Sequence, residues 1–245
     1  MKKIFAILLA AMMLLSFAAC GKDNSNENTT TTIAPETTAP ATEPVVTTTA
    51  PATTPTTTAD TTLPEGGAVI EAGETEVFRG TVSDNMYMSA FSGLSFTADE
   101  NWNFLSDADI ASMLGVTEDD LKNDKLSSTL TSTGAVYDMY AQLISEDNIL
   151  DANVLVMLLD ANNIDFKDKT LEDTVELLAS ASFGLDLASA ETGSASFGGE
   201  NYYKVDATTE NAKVSVFGCK IGDVYVVCAS AASKDSGIDP VFMFN

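Results

Sequence analysis

The sequence contains no histidine among its 245 residues. This absence excludes Ser-His-Asp and Cys-His catalysis, histidine-ligated metal sites and acid-base chemistry by imidazole. Arg79 is the only arginine, so bidentate clamps for phosphate or carboxylate groups are scarcely available. No Ser-x-x-Lys, Gly-x-Ser-x-Gly, phosphate-loop or dinucleotide-binding motif occurs either. The sequence therefore disfavours the common hydrolase, kinase and dehydrogenase mechanisms, and no cofactor is expected.

Positive charge is also scarce. The chain carries 12 Lys and Arg against 36 Asp and Glu, and residues 66–245 alone hold 30 acidic and 9 basic residues. Phosphate backbones and anionic lipid surfaces repel such a protein, so binding to nucleic acid and direct adsorption to a membrane are disfavoured. The partners compatible with this charge are divalent cations, basic protein patches and cationic glycopolymers. The alternative is a solvated surface without a specific partner.

The first twenty residues have the pattern of a bacterial lipoprotein signal. Lys2 and Lys3 precede an apolar run over residues 4–15, and small residues then lead to a cysteine in Ser16-Phe17-Ala18-Ala19-Cys20. A transmembrane helix is the alternative interpretation. However, residues 4–19 make an apolar stretch of only 16 residues, whereas a spanning helix needs about 20.

This pattern predicts location and modification. Residues 1–19 are predicted to be a signal peptide that is cleaved between Ala19 and Cys20, and Cys20 is predicted to carry a palmitate-containing lipid anchor. We therefore expect the protein at the cell membrane of a bacterium, held on the extracellular face by its lipid.

A change of composition follows the predicted anchor. Six of the seven prolines and repeated threonine blocks lie between Asp23 and Pro64. Such a segment has too few apolar side chains to offset the entropy cost of ordering the chain. Residues 20–65 are therefore predicted to be the lipidated cysteine followed by a disordered, Thr/Pro-rich linker that holds a domain away from the lipid.

Residues 66–245 are predicted to form one globular domain, because about 180 residues suffice for a single core. Helices are expected after Ser106 and after Thr170, where an N-cap residue precedes acidic residues and an apolar stripe, and shorter helices near Thr117 and Ser236. The predicted strands are 86–91, 94–97, 135–144, 153–159, 201–207, 213–221 and 224–230.

The strand over residues 153–159 sets the expected architecture. Its positions Val154 to Leu159 are consecutively apolar, which indicates a central strand covered on both faces. Helices should therefore lie on both sides of the sheet. The tight turn at Gly222-Asp223 joins the last two strands of a meander, so the sequence predicts an α+β fold with an antiparallel sheet.

Several short segments carry a resemblance to a known family: Gly80-Thr81-Val82, Tyr87, Gly93-Leu94-Ser95-Phe96, Trp102-Asn103-Phe104, Ser106-Asp107, Tyr137-Asp138-Met139 and the Gly222-Asp223 hairpin. In this order they resemble the PsbP-like domains of lipoproteins from Gram-positive gut bacteria, over most of residues 75–245. The resemblance implies an α-β-α sandwich, with an antiparallel sheet between helices, and a non-enzymatic binding or accessory role. It supplies no functional residues for this sequence.

Two residues of the domain bear on possible carboxylate chemistry. Asp138 interrupts the semi-apolar strand of residues 136–140, and we interpret it as facing the wetter side of that strand or capping a backbone group; the alternative is a functional carboxylate. Trp102, the only tryptophan, is expected in the core. A glycan hydrolase would need two acids facing each other across a groove beside an aromatic residue such as Trp102 or Tyr140.

The loop of residues 160–168 is rich in oxygen ligands. Asp160 and Asn162 match the first and third ligand positions of an EF-hand loop, but the later positions do not match. A cation site of another kind, built from Asp160, Asn162, Asp165 and Asp168, is the hypothesis that this density of oxygen ligands suggests. The alternative is a polar loop of turn-forming residues.

The two remaining cysteines are expected on adjacent strands. The turn at Gly222-Asp223 places Cys219 opposite Val226 and Cys228 opposite Phe217, so that the cysteines lie diagonally at about 7–8 Å. That separation is too long for an unstrained disulfide. We predict two buried thiols, and a Cys219–Cys228 disulfide only if a bulge shifts the register.

Together these observations predict a lipid-anchored, surface-displayed domain with no catalytic residues. Its expected role is to bind or support an envelope protein or glycan that the sequence does not identify. The alternative is a cell-envelope glycan hydrolase that uses a pair of carboxylates.

Overall fold

The structure, a computed structural model, describes residues 76–145, 147 and 149–245. The predicted signal peptide, the lipidation site at Cys20 and the linker of residues 20–65 lie outside these residues. They therefore stay predictions from sequence.

The described residues form a seven-stranded antiparallel main sheet in the spatial order β4-β5-β6-β10-β9-β8-β7. Its strands are β4 (Trp102–Phe104), β5 (Ala135–Ile144), β6 (Leu150–Asp160), β7 (Glu191–Phe197), β8 (Glu200–Thr208), β9 (Ala212–Ile221) and β10 (Val224–Ser233). The residues of β6 from Val154 to Leu159 are all buried, as their consecutive apolar side chains predict. The middle of the sheet is therefore covered on both faces.

A small sheet contains three short strands, β1 (Thr81–Ser83), β2 (Met86–Met88) and β3 (Ser95–Thr97). The turn between β1 and β2 has positive φ at Asp84 and Asn85, residue types that tolerate the left-handed conformation. Asn245 extends this sheet, because its backbone exchanges hydrogen bonds of 2.9 and 3.0 Å with Ser95.

In the part of the chain that the structure describes, three α-helices connect the strands: α1 (Asp107–Leu114), α2 (Asn123–Thr133) and α3 (Leu171–Ala181). Ser106 and Thr170 cap α1 and α3, each accepting a hydrogen bond from the backbone N–H of an aspartate three residues later. These are the predicted N-caps. None of the helices among the described residues is long and apolar enough to cross a membrane.

Helix α3 packs on one face of the main sheet, against β8 and β9. Gly218 makes room for it, since a Cβ there would lie 3.0 Å from Cγ2 of Val175. The Tyr203 hydroxyl also donates a 2.7 Å hydrogen bond to Glu176 of the helix. Packing and one polar contact therefore hold α3 in place.

The opposite face of β9 packs against an aromatic cluster that joins the two sheets. Phe244 lies with its ring centroid 5.1 Å from Phe217 of the main sheet and 5.0 Å from Phe96 of the small sheet. Trp102 meets Phe96 edge-on at 5.4 Å and is only 4% exposed. The predicted core role of Trp102 is confirmed.

The structure confirms the predicted α+β fold, an antiparallel sheet with helices, and corrects some elements. The strand predicted over residues 86–91 covers only Met86–Met88. The helix expected near Thr117 is a 3₁₀ turn, Glu118–Leu121, followed by the separate helix α2. The helix expected near Ser236 is replaced by two 3₁₀ turns, Lys234–Ser236 and Pro240–Met243.

The sequence does not predict strand β7. It reads Glu-Thr-Gly-Ser-Ala-Ser-Phe and is exposed along most of its length, so it lacks the apolar alternation that marks a half-buried strand. Its pairing with β8 makes it a strand, rather than any pattern of its own.

Candidate functional site

Asp138 lies at a β-bulge in the middle of β5. Tyr137 pairs with Met157 of β6 and Met139 pairs with the next residue, Val156, so Asp138 has no partner in the ladder. Its side chain has no exposed surface. It is the only charged residue among the buried residues that the structure describes.

Both carboxylate oxygens of Asp138 accept hydrogen bonds from the N-terminal part of the domain. The Tyr87 hydroxyl donates to Oδ2 at 2.5 Å, and the backbone N–H of Gly80 donates to Oδ1 at 2.7 Å. Nε of Arg79 lies 3.7 Å from Oδ1. We call Arg79, Gly80, Tyr87, Asp107 and Asp138 the Asp138 cluster.

Arg79 connects the cluster to both helices that precede β5. Nη1 donates to the carboxylate of Asp107, the first residue of α1, at 2.8 Å, and Nη2 donates to the backbone carbonyl of Asp138 at 2.9 Å. Its backbone N–H donates to the side chain of Asn123, the first residue of α2, at 3.0 Å. With a side chain only 9% exposed, Arg79 joins the start of the domain to α1, α2 and β5.

Burial dominates the electrostatics of the cluster. Loss of solvent raises the pKa of Asp138 above its usual range, although the Tyr87 hydroxyl, the Gly80 N–H and the Arg79 charge oppose this shift. Burial, followed by the charge of Asp138, raises the pKa of Tyr87 well above its usual range. A carboxyl group with a raised pKa is a candidate general acid when a substrate can reach it. Here the carboxyl group has no exposed surface, and its hydrogen bonds hold Gly80 and Tyr87 against β5.

The structure selects between the two sequence interpretations of Asp138. It caps a backbone group, the N–H of Gly80, and the interpretation that it faces a wetter side of the strand is wrong because the side chain is fully buried. Sequence reasoning missed Arg79 as its neighbour. Two unusual features of the sequence could have suggested this pairing: Arg79 is the only arginine of the chain, and Asp138 is an acid inside an apolar strand.

The aromatic residues considered for a sugar site belong to the interior. The Tyr140 hydroxyl accepts hydrogen bonds from the side-chain amides of Gln142 and Asn153 at 3.1 and 3.4 Å. Tyr140 is 3% exposed, and Trp102 packs edge-on against Phe96. These residues therefore present no open aromatic platform to a carbohydrate.

The loop of residues 160–168 has the hydrogen bonds of a turn-forming loop. The Asp160 carboxylate accepts from the backbone N–H of Asn162 at 2.9 Å, and the Asn163 side chain accepts from the backbone N–H of Asp165 at 3.1 Å. Over residues 76–245, leaving out 146 and 148, no three His, Cys, Asp or Glu side chains form a group that could hold a metal ion. The structure thus does not bring Asp160, Asp165 and Asp168 together as a carboxylate cage.

Cys219 and Cys228 lie in the predicted register, opposite Val226 and Phe217. Both are free and buried. Burial raises the pKa of Cys219 to about 11 and that of Cys228 well above its usual range. Because the thiolate is the reactive form, these thiols are poor nucleophiles and poor metal ligands.

Basic side chains on the surface are partly neutralised by neighbouring acids. Lys122 and Lys125 both bind Asp119, and Lys204 lies 2.6 Å from Asp206. Since the Arg79 side chain is only 9% exposed, the exposed surface of the described residues keeps the acidic excess that the composition predicts.

Comparison with known proteins gives neither a matching family model nor a matching curated protein. Similar solved structures include a PsbP of the cyanobacterium Synechocystis sp. PCC 6803 (CyanoP), at 14% identity and a TM-score of 0.37, over 73% of this chain and 99% of that one. Another is LpqN of Mycobacterium tuberculosis, described as involved in cell envelope biogenesis, at 11% identity and a TM-score of 0.33, over 61% of this chain and 78% of that one.

A third similar structure comes from Bacteroides thetaiotaomicron VPI-5482, at 12% identity and a TM-score of 0.31. The similarity covers 66% of this chain and 47% of that one, so the chain spans about half the length of that protein. A PsbP is thus among the similar structures, as the sequence resemblance predicts. At these identities and TM-scores the similarity carries no information on function.

Proposed function

We propose that this chain is a lipid-anchored protein on the extracellular face of a Gram-positive cell envelope, where its acidic domain binds an envelope partner without catalysing a reaction. One observation carries the non-catalytic part of the proposal. The only buried acid among the described residues, Asp138, has both oxygens bonded inside the protein and none exposed.

The anchoring part of the proposal rests on sequence alone. The basic residues Lys2 and Lys3, the apolar run of residues 4–15 and the small residues before Cys20 are typical of a lipoprotein signal. A lipid would hold the domain at a membrane whose anionic surface repels it.

The expected partner is positively charged. With 30 acidic and 9 basic residues in 66–245, the surface attracts basic protein patches and cationic glycopolymers and repels nucleic acids. Attraction between these opposite charges would speed association of the protein with its partner. Because salt screens this attraction, the complex should weaken as the salt concentration is raised.

The anchor is tested by labelling the full chain in a bacterium with an alkyne-tagged palmitate. We expect label on the wild type, and loss of label with accumulation of the uncleaved precursor in Cys20→Ala. Cys219→Ala, which removes a buried thiol of the domain instead, is the matched control and should keep the label. Labelling of Cys20→Ala at the wild-type level would contradict the anchor.

The choice between binding and hydrolysis is tested on intact cells and on purified envelope. Crosslinking followed by mass spectrometry should recover a partner with the wild type, but not with a control that joins residues 1–65 to an unrelated acidic domain. Release of reducing ends from envelope glycans should stay at background. Release that disappears when a single acid is changed to its amide would favour the glycan hydrolase instead.

A further inference from the structure

Strand β7 forms an open edge of the main sheet. It makes seven regular pairs with β8 and has no strand on its other side. The opposite edge, β4, is only three residues long and begins with the buried Trp102. The main sheet therefore has one long free edge among the described strands.

The hairpin geometry shows which backbone groups of β7 point outward. Gly198 and Gly199, the two turn residues, have φ of 58° and 86°, as in a type I′ turn. In such a hairpin the closing pair, Phe197 and Glu200, exchanges both backbone hydrogen bonds, and bonded pairs then alternate along the ladder. The N–H and C=O groups of Thr192, Ser194 and Ser196 therefore point away from β8.

These outward groups are accessible. Thr192, Ser194 and Ser196 are exposed, and a Cβ placed on Gly193 would meet no atom within 4 Å. Natural sheets protect their free edges with lysine, proline or a bulge. Strand β7 contains neither lysine nor proline, and its pairing shows no register shift.

The surroundings of the edge are strongly acidic. Residues 171–210, which include α3, β7 and β8, contain eight acidic residues and one basic residue, Lys204. That lysine is paired with Asp206. A second copy of the chain would bring the same negative charge to the edge, which disfavours pairing between copies.

We propose that the β7 edge binds an extended, basic segment of a partner protein, which adds a strand to the main sheet. This inference rests on the proposed function as a binding module. The outward N–H and C=O groups supply the backbone hydrogen bonds of strand addition, and the surrounding acids favour Lys and Arg on the added strand.

The probe for this site is a ten-residue peptide of alternating lysine and valine, N-methylated on alternate residues so that only one of its edges can pair. Amide hydrogen exchange is measured by NMR on the full chain in detergent micelles. We expect exchange at Thr192, Ser194 and Ser196 to slow by about ten-fold when the peptide saturates the site, which corresponds to about 1.4 kcal/mol. Unchanged exchange at these amides would overturn the proposal.

Two peptide controls separate strand addition from attraction between charges. A lysine-valine peptide that is N-methylated on every residue keeps its charge, but it has no backbone N–H donors and its methyl groups block pairing at both edges, so we expect it to leave exchange unchanged. A glutamate-valine peptide with one free edge should also have no effect. Equal protection by the fully methylated peptide, or protection that appears with protein concentration alone, would overturn the proposal.

Variants test the edge from the side of the protein. Ser194→Pro removes one outward N–H without removing a bond to β8, and we expect it to weaken binding of the probe by about ten-fold. Ser194→Ala keeps the N–H and should bind within about two-fold of the wild type. The peptide controls decide the outcome on the wild-type chain if Ser194→Pro does not fold.

Crosslinking on cells distinguishes this inference from the broader proposal. Recovery of the same partner in equal yield with the wild type and with folded Ser194→Pro would support the binding module and reject the β7 edge as its site. Recovery of no partner with either chain would reject the binding module itself.

Discussion

Two groups of opposite charges, one buried and one exposed, show how strongly the surroundings decide what an ion pair does. In the Asp138 cluster, Arg79 and Asp138 are nearly or fully buried, at 9% and 0% side-chain exposure. On the surface, Asp119 lies between Lys122 and Lys125, and all three side chains are largely exposed.

The two aspartates respond in opposite directions. Hydrogen bonds from Lys122 and Lys125, supported by their charges, lower the pKa of Asp119 to about 2. Burial raises the pKa of Asp138 even though Arg79 lies beside it. Water can replace the partners of Asp119, whereas removing the Asp138 carboxylate leaves the Tyr87 hydroxyl and the Gly80 N–H without their acceptor.

The largest expected effect is that of Asp138→Ala. The change leaves the Tyr87 hydroxyl and the Gly80 N–H without their acceptor and removes the negative charge beside the Arg79 guanidinium, so we expect a loss of about 3–5 kcal/mol in the free energy of unfolding. Urea denaturation followed by circular dichroism measures it. Asp107→Ala, which removes the exposed partner of the same arginine, is the control and should cost about 1 kcal/mol or less. Equal losses would mean that burial does not set the difference.

The next effect is that of Tyr87→Phe, which removes the donor to Oδ2 of Asp138 but keeps the ring. We expect a loss of about 1–3 kcal/mol by the same measurement, because a buried acceptor is left unpaired. Tyr203→Phe removes a similar bond to Glu176, which lies nearer the solvent, and should cost less. A larger loss of unfolding free energy for Tyr203→Phe than for Tyr87→Phe would contradict the conclusion that the buried hydrogen bond matters more.

The third effect is on the pH dependence of stability. Each unit by which folding raises the pKa of Asp138 changes the free energy of unfolding by about 1.4 kcal/mol across the pH range in which the group titrates. Because the folded pKa is raised, the stabilising contribution is fully present below the unfolded pKa and is lost as the pH rises through the folded pKa. The unfolding free energy of the wild type minus that of Asp138→Asn should therefore fall as the pH rises above the unfolded pKa of aspartate, about 3.9. A difference that grows with pH would show that Arg79 outweighs burial.

The smallest expected effect is that of Asp119→Asn. Both lysines are exposed and become solvated by water when the carboxylate is lost, so we expect no measurable change in Tm. Thermal unfolding at low and at high salt checks this. A clear drop in Tm at low salt that disappears at high salt would mean that the surface pairs do contribute.

The sequence predicts the parts of the fold whose side chains show a local pattern. Strands β5 and β6 show continuous or alternating apolar residues, and Ser106 and Thr170 precede acids at the spacing of a capping box. Strand β7 shows no such pattern because it is exposed on its surfaces and exists through its pairing with β8. Short exposed strands such as β1 cannot be predicted from the sequence for the same reason.

The Asp138 cluster could be anticipated only in part. Asp138 is conspicuous in its strand, but Arg79 and Gly80 lie 59 and 58 residues away along the chain. No local pattern joins them, and the bulge that gives Asp138 its place is a property of the β5–β6 pairing. The register of Cys219 and Cys228 could be predicted because a two-residue turn fixes it.

The position of Arg79 and Gly80 at the entrance to the domain has a mechanical consequence. A pull along the chain that precedes Glu76 reaches these two residues before it reaches any strand of the main sheet. Arg79 and Gly80 are hydrogen-bonded to α1, α2 and β5. Several hydrogen bonds must therefore break together before these two residues can detach from the domain. We expect pulling from the N-terminus to meet its first resistance there, at a force that Asp138→Ala would lower.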